Sequence, residues 1–515
     1  MRTTLFVAAL ALCVTNAFSY RVLCIFAAPT RSTDHLGHGF VRALLKAGHQ
    51  VTWATPFPEK KAPHTNLTII DLTATRKFTE GVDMTQQASG GLAFIRTYAR
   101  NISRTAAESP ELQHALVHQQ FHAVISMWFM NDYEAGYAAI QQVPWLLLSS
   151  VVIHPYLEAM VDQVRSIPSV PLMMNEGDTP MSVGRRWLNG LVYMAMTVDG
   201  WFDQPRQAAI YSDIYAPLAA ARGVPLPPYH EARQNVSFLF VNSHESIATA
   251  QSLPPNVLNI AGYHIDDELE PLPKDLQELL DNAKNGFIYF SMGSVVRSAL
   301  LPEHTRAGLL RAFSKLPHTV LWKFEEPLQG LPANVHVRPW LPQTSVLAHP
   351  NLRLFITHGG QLSSLEAIHA GVPMLAVPVF GDQPANAERA RNLGYALKVD
   401  FHKNLVEDLE VALGEMLSND TYYKRAKYLS KIFHARPTTP SQLIPYAVEL
   451  AIETKGAFHL RSQALKYSWH ELWMLDFLLL LLTILTSVVL MLRYIIKFCV
   501  GKCRGQGINI AKKKN

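Results

Sequence analysis

The sequence predicts an α/β protein with two parallel-sheet domains and a C-terminal helix that crosses a membrane. Three observations support this prediction. Short apolar runs, suited to buried strands, alternate with helical segments along most of the chain. The chain has 515 residues, of which 49% are hydrophobic, and this length is too great for one compact core. A strongly apolar run occupies most of residues 472–496, which is enough to span a bilayer.

The chain begins with a segment typical of a secretory signal peptide, residues 1–19. A basic start precedes an apolar run, and small residues lie near Ala17 and Ser19. A buried first strand is the alternative, but residues 21–27 already supply that strand. After cleavage, Cys24 is the only cysteine before the membrane run, and a lone thiol in an apolar strand is usually a buried hydrophobe. We therefore expect no disulfide.

Residues 20–265 form the predicted first domain, which opens in the strand–helix–strand order of a Rossmann-like fold. We expect the first strand at residues 22–27, a loop at 29–34 and a helix at 35–46. Residues 168–229 are rich in Met, Trp and Tyr, which would suit a pocket for flat apolar molecules. Core packing of helices over the sheet is the alternative explanation for any single residue there.

The predicted second domain covers residues 266–440 and contains two strand–turn–helix units. An acidic stretch at its start indicates a solvated linker rather than a metal site. One unit has the turn Ser-Met-Gly-Ser at residues 291–294, and the other has Thr-His-Gly-Gly at residues 357–360. Small hydroxyls and glycines at both turns are typical of a phosphate-binding Rossmann-like domain.

The stretch at residues 355–383, FITHGGQLSSLEAIHAGVPMLAVPVFGDQ, is the most informative part of the chain. Gly359 and Gly360 lie where a strand turns into a helix, so amide N–H groups and the helix dipole favour a phosphate there. His358 at the same turn adds a donor or a positive charge. Glu366 follows in the helix, and a carboxylate and an amide follow the next strand at residues 382–383.

This stretch resembles the signature of the family-1 UDP-glycosyltransferases, which include membrane-bound UDP-glucuronosyltransferases and arthropod UDP-glucosyltransferases. The matching positions are Thr357, His358, Gly359, Gly360, Ser363, Glu366, Pro373, Pro378, Asp382 and Gln383. The resemblance runs from about Val22 to the C-terminal tail. It implies a GT-B fold, with residues 441–470 forming helices that pack back on the first domain. It also implies a UDP-glucose or UDP-glucuronate co-substrate, without a further cofactor, and a small lipophilic acceptor.

The resemblance implies a role for each residue of a donor-binding set in the second domain. Ser294 and His358, with the amides of Gly359 and Gly360, hold the diphosphate; Trp340 stacks on uracil, Gln343 bonds its edge, Glu366 binds the ribose diol, and Asp382 and Gln383 hold sugar hydroxyls. Ser363 of the same signature also belongs to the donor-binding set. Trp340 as a core residue is the alternative. Leu362 stands where vertebrate glucuronosyltransferases usually place Asn, which favours UDP-glucose.

The implied reaction is an inverting displacement at the anomeric carbon, but this chain departs from the family in its base. Thr33 occupies the position of the family's catalytic histidine, and Met127 occupies that of the orienting carboxylate. Neither side chain can perform that role near neutral pH. His35, two residues away, is a candidate displaced base that Asp34 or Asp132 could orient.

Two hypotheses follow from this departure. The first is a working glycosyltransferase with a displaced base or an acceptor that is already nucleophilic. The second is a non-catalytic lumenal protein that still binds a UDP-sugar or a lipophile. The complete donor set favours the first. The sequence has no D-x-D triplet, which agrees with a reaction that needs no metal.

The net charge of +5 at pH 7 is concentrated at the C-terminal end. After Asp476 there are seven basic and no acidic residues: Arg493, Lys497, Lys502, Arg504, Lys512, Lys513 and Lys514. Subtracting seven from +5 leaves about −2 for the rest, so the sequence gives no reason to expect nucleic-acid binding. Residues 497–515 are the expected cytosolic tail, with the two domains in the lumen.

Further features favour a single-pass type I protein of the endoplasmic reticulum membrane. Trp469 and Trp473 precede the apolar run, as an interfacial belt would. The three lysines before Asn515 resemble a dilysine retrieval signal, although they also satisfy the positive-inside bias. N-glycosylation sequons begin at Asn66, Asn101, Asn235 and Asn419. Assembly into homo- or hetero-oligomers with family members is also possible.

Overall fold

The computed structural model describes residues 19–59, 62–80, 91–177, 179–266 and 268–512. Almost all of the predicted signal peptide, and two of the three lysines of the retrieval signal, lie outside these residues. The chain separates into two compact units. One comprises Met1–Val161 and Arg165–Arg461, and the other comprises Asp162–Val164 and Ser462–Asn515.

The first domain is built on a sheet of seven parallel strands in the order β3-β2-β1-β4-β5-β6-β7. Its strands are β1 (Arg21–Ile25), β2 (Gln50–Thr55), β3 (Leu67–Asp71), β4 (Ala123–Met127), β5 (Trp145–Ser149), β6 (Val236–Val241) and β7 (Val257–Asn259). Strands β4, β5 and β6 are buried along their whole length. Buried parallel strands are apolar throughout because helices cover both faces of the sheet.

Seven helices belong to this domain among the described residues. They are α1 (Arg31–Lys46), α2 (Gly91–Ala107), α3 (Pro110–His118), α4 (Ala135–Gln141), α5 (Pro155–Val161), α6 (Val183–Arg222) and α7 (Tyr229–Gln234). The expected loop at residues 29–34 is wrong, because α1 already begins at Arg31. Thr30 is its N-cap, and the Thr30 side chain accepts a hydrogen bond from the amide of Thr33.

Helix α6 runs for 40 residues through the segment that either an apolar pocket or core packing could explain. Its C-terminal half packs into the core through Tyr211 and Tyr215. Its N-terminal half instead exposes large apolar side chains, with Trp187 70% and Phe202 81% accessible. Core packing therefore explains the apolar side chains in the C-terminal half of α6 but not those in its N-terminal half.

The second domain has a sheet of six parallel strands in the order β10-β9-β8-β11-β12-β13. They are β8 (Phe287–Ser291), β9 (Thr319–Lys323), β10 (Val335–Arg338), β11 (Leu352–Thr357), β12 (Met374–Ala376) and β13 (Ala396–Lys398). The helices are α8 (Lys274–Asp281), α9 (Glu303–Ser314), α10 (Gln343–Leu347), α11 (Gln361–Ala370), α12 (Gln383–Asn392), α13 (Leu405–Ser418) and α14 (Thr421–His434). The predicted α/β class with two parallel-sheet domains is confirmed.

Helix α15 (Pro440–Glu453) returns to the first domain. Its residues Ile444, Ala447 and Val448 are fully buried and belong to the same apolar cluster as strand β1. Where the chain returns, an Arg436 guanidinium nitrogen donates a hydrogen bond to the carbonyl of Ala261 at 3.0 Å. The segment in which the chain leaves the first domain, near Ala261, is therefore in contact with the segment in which it returns, near Arg436.

The second unit contains helices α16 (Trp469–Leu472) and α17 (Leu475–Lys512). Among the described residues, Leu475–Lys502 is the one helical segment long and apolar enough to cross a bilayer. This helix begins at Leu475, three residues after the start of the predicted segment 472–496, because Met474 has a φ of 49° and separates the two helices. Within the described residues, buried Cys24 is a free thiol and burial raises its pKa.

Candidate functional site

The two predicted turns meet at the carboxyl ends of β8 and β11, which are neighbours in the sheet. The His358 ring fills the space between the glycines of both turns. A Cβ on Gly293 would lie 2.5 Å from His358 Cε1, and one on Gly360 would lie 2.5 Å from His358 Nε2. Ser294 follows at the same place and is exposed. Gly359 has a φ of 75°, which lets the chain turn sharply into α11.

The His358 imidazole is neutral in this arrangement. Burial and the positive charge of Lys323 lower its pKa to about 4. Its Nδ1 lies 3.2 Å from the Thr357 hydroxyl oxygen. The Lys323 ammonium donates hydrogen bonds to the Gly293 carbonyl and to Glu325, each at 2.8 Å. Lys323 thus places a positive charge beside the turn, a contribution that no motif in the sequence indicated.

A second polar cluster joins helices α10 and α11. The Gln343 amide nitrogen donates to Glu366 Oε2 at 2.6 Å and to the Ser363 hydroxyl at 3.1 Å. The Tyr289 hydroxyl donates to the Gln343 amide oxygen at 3.1 Å. These bonds determine which end of the Gln343 amide faces Glu366. The Glu366 carboxylate is thereby held in a buried position, with only 5% of the residue exposed.

His264 brings the first domain into this cluster. Its Nε2 lies 3.3 Å from Glu366 Oε1, and the residue is 1% exposed. Burial alone would raise the pKa of Glu366, but His264 and Gln343 together lower it below its usual value. Gly39 of α1 makes this approach possible, because a Cβ there would lie 2.5 Å from His264 Cα. Sequence reasoning missed His264, which lies outside every motif that we considered.

The residues after β12 form a third group, at the start of α12. Asp382 accepts a hydrogen bond from the Asn386 amide at 2.7 Å. Burial raises the pKa of the Asp382 carboxyl, and hydrogen bonds from Asn386 and from the backbone at Gln361 act against that rise. The Gln383 side-chain oxygen accepts from the amides of the preceding loop at 2.8 and 3.1 Å, so its amide nitrogen is directed away from them.

Trp340 lies apart from these buried groups. It is 63% exposed, so the alternative that it is a core residue is wrong. The Lys323 ammonium lies 5.8 Å from the centre of its ring. An exposed indole next to a polar cluster offers a flat face for stacking.

On the first-domain side, the two substituted positions carry no acid–base chemistry. The Thr33 hydroxyl lies 2.7 Å from the carbonyl of Ala28 and 2.8 Å from that of Thr30, so it is bound to its own helix start. Met127 ends β4 and is 4% exposed within the apolar core. Thr33 and Met127 therefore serve local structure.

His35 is accessible to solvent on α1. Its ring lies edge-on to that of His264, which contacts Glu366 of the second domain, with 5.5 Å between the two ring centres. Desolvation by the groups packed around the ring, and then the charge of His264, lower the pKa of His35 to about 4. The two carboxylates considered as its partners are engaged elsewhere. Asp34 lies 3.9 Å from His38, and Asp132 accepts from Arg233 at 2.7 Å and Trp128 at 2.9 Å.

The four sequons differ in how their residues are placed. Asn419 and Thr421 are both exposed between α13 and α14. By contrast, Ser103 of the Asn101 sequon and Ser237 of the Asn235 sequon are buried. Asn66 is half-buried and comes directly before β3. At Asn419 both the acceptor and the hydroxyl residue of the sequon are exposed, whereas Asn101 and Asn235 are exposed but each precedes a buried serine.

A family of sugar transferases matches most of the chain. Residues 47–512 match the family described as UDP-glucoronosyl and UDP-glucosyl transferase. The chain belongs to this family. The UDP-glycosyltransferase is 28% identical to UDP-glucosyltransferase 2 of Dactylopius coccus, over 92% of each chain. It is 38% identical to UDP-glucuronosyltransferase 3A1 of Mus musculus, over 47% of each chain.

Solved glycosyltransferases share the fold of this UDP-glycosyltransferase. The glycotransferase of kitacinnamycin aligns with a TM-score of 0.56 at 20% identity, covering 85% of this chain and 99% of that one. The calicheamicin glycosyltransferase CalG4 aligns with a TM-score of 0.54 at 17% identity, with the same coverage. At such identities the likeness concerns the fold alone. The predicted family and the GT-B architecture are confirmed.

Proposed function

We propose that this UDP-glycosyltransferase is membrane-anchored and transfers a hexosyl group from UDP-glucose or UDP-glucuronate to a small lipophilic acceptor, with inversion. The observation that carries the proposal is the cluster formed by Gln343, Ser363 and Glu366 beside the His358 turn. This cluster supplies a carboxylate for a ribose diol next to amides and an imidazole for a diphosphate. The co-substrate is the UDP-sugar, and the proposal requires neither a metal nor another cofactor.

In the proposed reaction, the second domain stabilises the leaving group. The C1–O bond to the β-phosphate breaks, and its electron pair leaves with UDP. Negative charge then grows on a diphosphate held by the Gly359 and Gly360 amides and the start of α11. The neutral His358 ring donates a hydrogen bond there, and Lys323 adds a positive charge close by.

The acceptor must lose a proton as its oxygen attacks the anomeric carbon. His35 is the group that we assign to this step, because it lies on α1 beside His264, which contacts Glu366 of the donor cluster, and is neutral near pH 7. Its low pKa makes it a weak base in the free protein. A bound diphosphate sugar would raise that pKa by its negative charge, which brings His35 closer to a useful range.

One observation favours a second function, that of a non-catalytic protein that binds a UDP-sugar or a lipophile. The positions of the family base and its orienting acid are Thr33 and Met127, and both side chains are engaged in local structure. Loss of a general base costs about 10²–10⁴-fold in rate. Amines or ionised phenols would still react without a base, whereas alcohols would not.

The deciding experiment uses membranes that contain the full chain. Labelled UDP-glucose and UDP-glucuronate are incubated with phenols, steroid alcohols and amines, and UDP binding is measured on the purified protein by calorimetry. We expect UDP binding and transfer of hexose to at least one acceptor class. UDP binding without any transfer identifies the non-catalytic protein. The absence of UDP binding overturns the transferase and leaves only the lipophile-binding form of the second function.

We further propose that Leu475–Lys502 spans the endoplasmic reticulum membrane once, with the domains in the lumen and the basic tail in the cytosol. The aromatic flank at Trp469 and Trp473 and the charge asymmetry support this orientation. Protease treatment of sealed microsomes is expected to remove only a C-terminal epitope. Co-purification of differently tagged copies tests whether the protein assembles with itself or with family members.

A further inference from the structure

A carboxylate of the first domain reaches the helix that follows the predicted sugar-binding residues. Glu176 forms an ion pair with Arg389 of α12, and the two side chains are only 10% and 14% exposed. Removing one partner from so buried a pair leaves an uncompensated charge. The ion pair is therefore a buried structural contact that holds the segment around Glu176 against α12.

Glu176 is presented by a segment that is itself tied to helix α6. The fully buried Asn189 of α6 donates hydrogen bonds to the carbonyls of Ile167 at 2.8 Å and Val170 at 2.9 Å. Asn175, the neighbour of Glu176, donates to the Arg185 carbonyl at 3.0 Å, and an Arg185 guanidinium nitrogen donates to the Asn175 carbonyl at 2.6 Å. These hydrogen bonds hold the segment that precedes Glu176 against α6 and so determine the position of Glu176.

On the other side, Arg389 is connected to Asp382 through one amide. An Arg389 guanidinium nitrogen lies 3.4 Å from Asn386 Oδ1, and Asn386 Nδ2 donates to Asp382 Oδ2 at 2.7 Å. Asn386 is 4% exposed, so both ends of its amide are used inside the protein. The direction of that amide is set by Arg389, and the direction of the Asp382 carboxylate follows from it.

We propose that Glu176 and Arg389 are positioning residues that orient Asp382 through Asn386 and thereby set the selectivity for the hexose of the donor. The inference rests on the proposed function, since it takes Asp382 as a ligand of the sugar hydroxyls. Glu176 keeps the guanidinium engaged away from Asp382. Without Glu176, Arg389 turns to Asp382, and the carboxylate no longer accepts from the sugar.

This arrangement separates recognition of the sugar from recognition of UDP. The groups proposed for UDP are Trp340, Gln343, Glu366 and the His358 turn, and the described contacts of Arg389 include none of them. A fault in the Glu176–Arg389 pair should therefore spare UDP while weakening the hexose contacts. A merely structural role would weaken both together.

The test uses the full-length protein in detergent and the variant Glu176→Gln. Calorimetry gives the Kd of UDP and of UDP-glucose, and kinetics gives KM and kcat for UDP-glucose and for its C4 epimer UDP-galactose. We expect the Kd of UDP to change by less than about twofold. The KM for UDP-glucose should rise, and the preference for glucose over galactose should fall, each by about tenfold.

Further variants isolate the relay. Asn386→Ala should reproduce the loss of selectivity, and the double variant with Glu176→Gln should lose no more than either single change, because all three groups act in series. Glu176→Asp keeps the charge and should restore part of the selectivity. Glu410→Gln in α13 is the matched control, since its pair with Lys315 is exposed and lies outside the contacts of Glu176 and Arg389.

Two results overturn the inference. One is unchanged sugar selectivity in a folded Glu176→Gln protein that binds UDP normally. The other is a parallel loss of affinity for UDP and UDP-glucose, which would make the pair a structural clasp. Wild-type protein that binds no UDP would instead overturn the proposed function. Should Glu176→Gln fail to fold, Glu176→Asp decides, because it keeps the charge but shortens the reach to Arg389: a partial loss of selectivity supports the inference, and unchanged selectivity overturns it.

Discussion

The two domains contribute different numbers of polar and titratable side chains to the predicted site. The second domain places three polar groups at the carboxyl ends of its strands, around His358, Glu366 and Asp382. The first domain offers Thr33 and Met127 after its own strands, and both serve local structure. Its titratable side chains on this side are His264, which contacts Glu366, and His35 next to it. The two parallel sheets are alike, but the second domain places more polar and titratable side chains after its strands than the first domain does.

This contrast teaches that donor binding and acceptor activation are separable in this protein. The predicted donor residues all lie within residues 287–392, with His264 and Glu176 of the first domain as supporting contacts, whereas the base belongs to α1 in the first domain. A substitution in one domain can therefore remove one activity and preserve the other. The following predictions test how complete that separation is.

The largest expected effect comes from His35→Ala, which removes the base proposed for the first domain. Turnover of alcohol acceptors should fall by about 10²–10⁴-fold, the usual cost of losing a general base, while the Kd of UDP stays within about twofold. Steady-state kinetics and calorimetry provide both values. His38→Ala on the same helix is the control, because that ring packs on Trp53. Unchanged turnover in His35→Ala would exclude His35 as the base.

The second prediction concerns the ribose carboxylate. Glu366→Ala should weaken UDP binding by about 100-fold, since it leaves the buried Gln343 amide and His264 without their anionic partner. The Kd measured by calorimetry is the readout. Glu410→Gln, whose pair with Lys315 is exposed, should leave the Kd unchanged. An equal effect of both substitutions would remove the special role given to Glu366.

A smaller effect is expected at the turn itself. Gly360→Ala places a methyl group 2.5 Å from His358 Nε2, so the ring must move from its position between the two turns. We expect about a tenfold loss of affinity for UDP-glucose, comparable to one misplaced hydrogen bond. Gly414→Ala in α13 meets no atom within 4 Å and is the matched control, with a slightly stabilising effect expected from helix propensity. Normal donor affinity in Gly360→Ala would contradict the geometry of this turn.

The smallest effect appears in stability as a function of pH. Burial lowers the pKa of His154 in the first domain to about 4, as it does for His358 in the second. The unfolded chain, with a histidine pKa near 6.5, binds the proton first. The stability of the folded state is therefore fully present above about pH 6.5 and declines as the pH falls towards 4.

Thermal unfolding between pH 7 and 4.5 measures this decline. His154→Phe, which keeps a ring against Trp128 and Tyr156, should reduce the loss by on the order of 1 kcal/mol. His230→Gln, at a site whose side chain is 76% exposed, is the control. A wild-type slope in His154→Phe would show that this ring does not control acid stability.

The sequence was sufficient wherever the chemistry is local. The turn from Thr357 to Gly360 could be predicted because a strand, two glycines and a helix follow one another directly. The role of Trp340 in stacking is implied by the family resemblance and stays a prediction. Helix α1 was placed four residues too late, because the capping role of Thr30 was not recognised. Helix α6 was missed as a continuous helix, since Pro205 and Pro217 argue against one.

The rest depends on contacts between residues far apart in the chain. Glu176 and Arg389 are separated by 213 positions, and nothing near either residue indicates the other. His264 meets Glu366 only because Gly39 lets α1 approach the backbone at residue 264. Such pairs follow from how two domains pack, which no local pattern of hydrophobicity encodes.

The return of helix α15 dictates how the protein can be dissected. Because Ile444, Ala447 and Val448 complete the core around β1, a fragment that ends at residue 265 would expose an apolar surface and lose its fold. Ala261 and Arg436 are in contact, so the chain can be shortened between them instead. Deleting the intervening residues and joining these two neighbours with a short linker should yield an independently folded first domain.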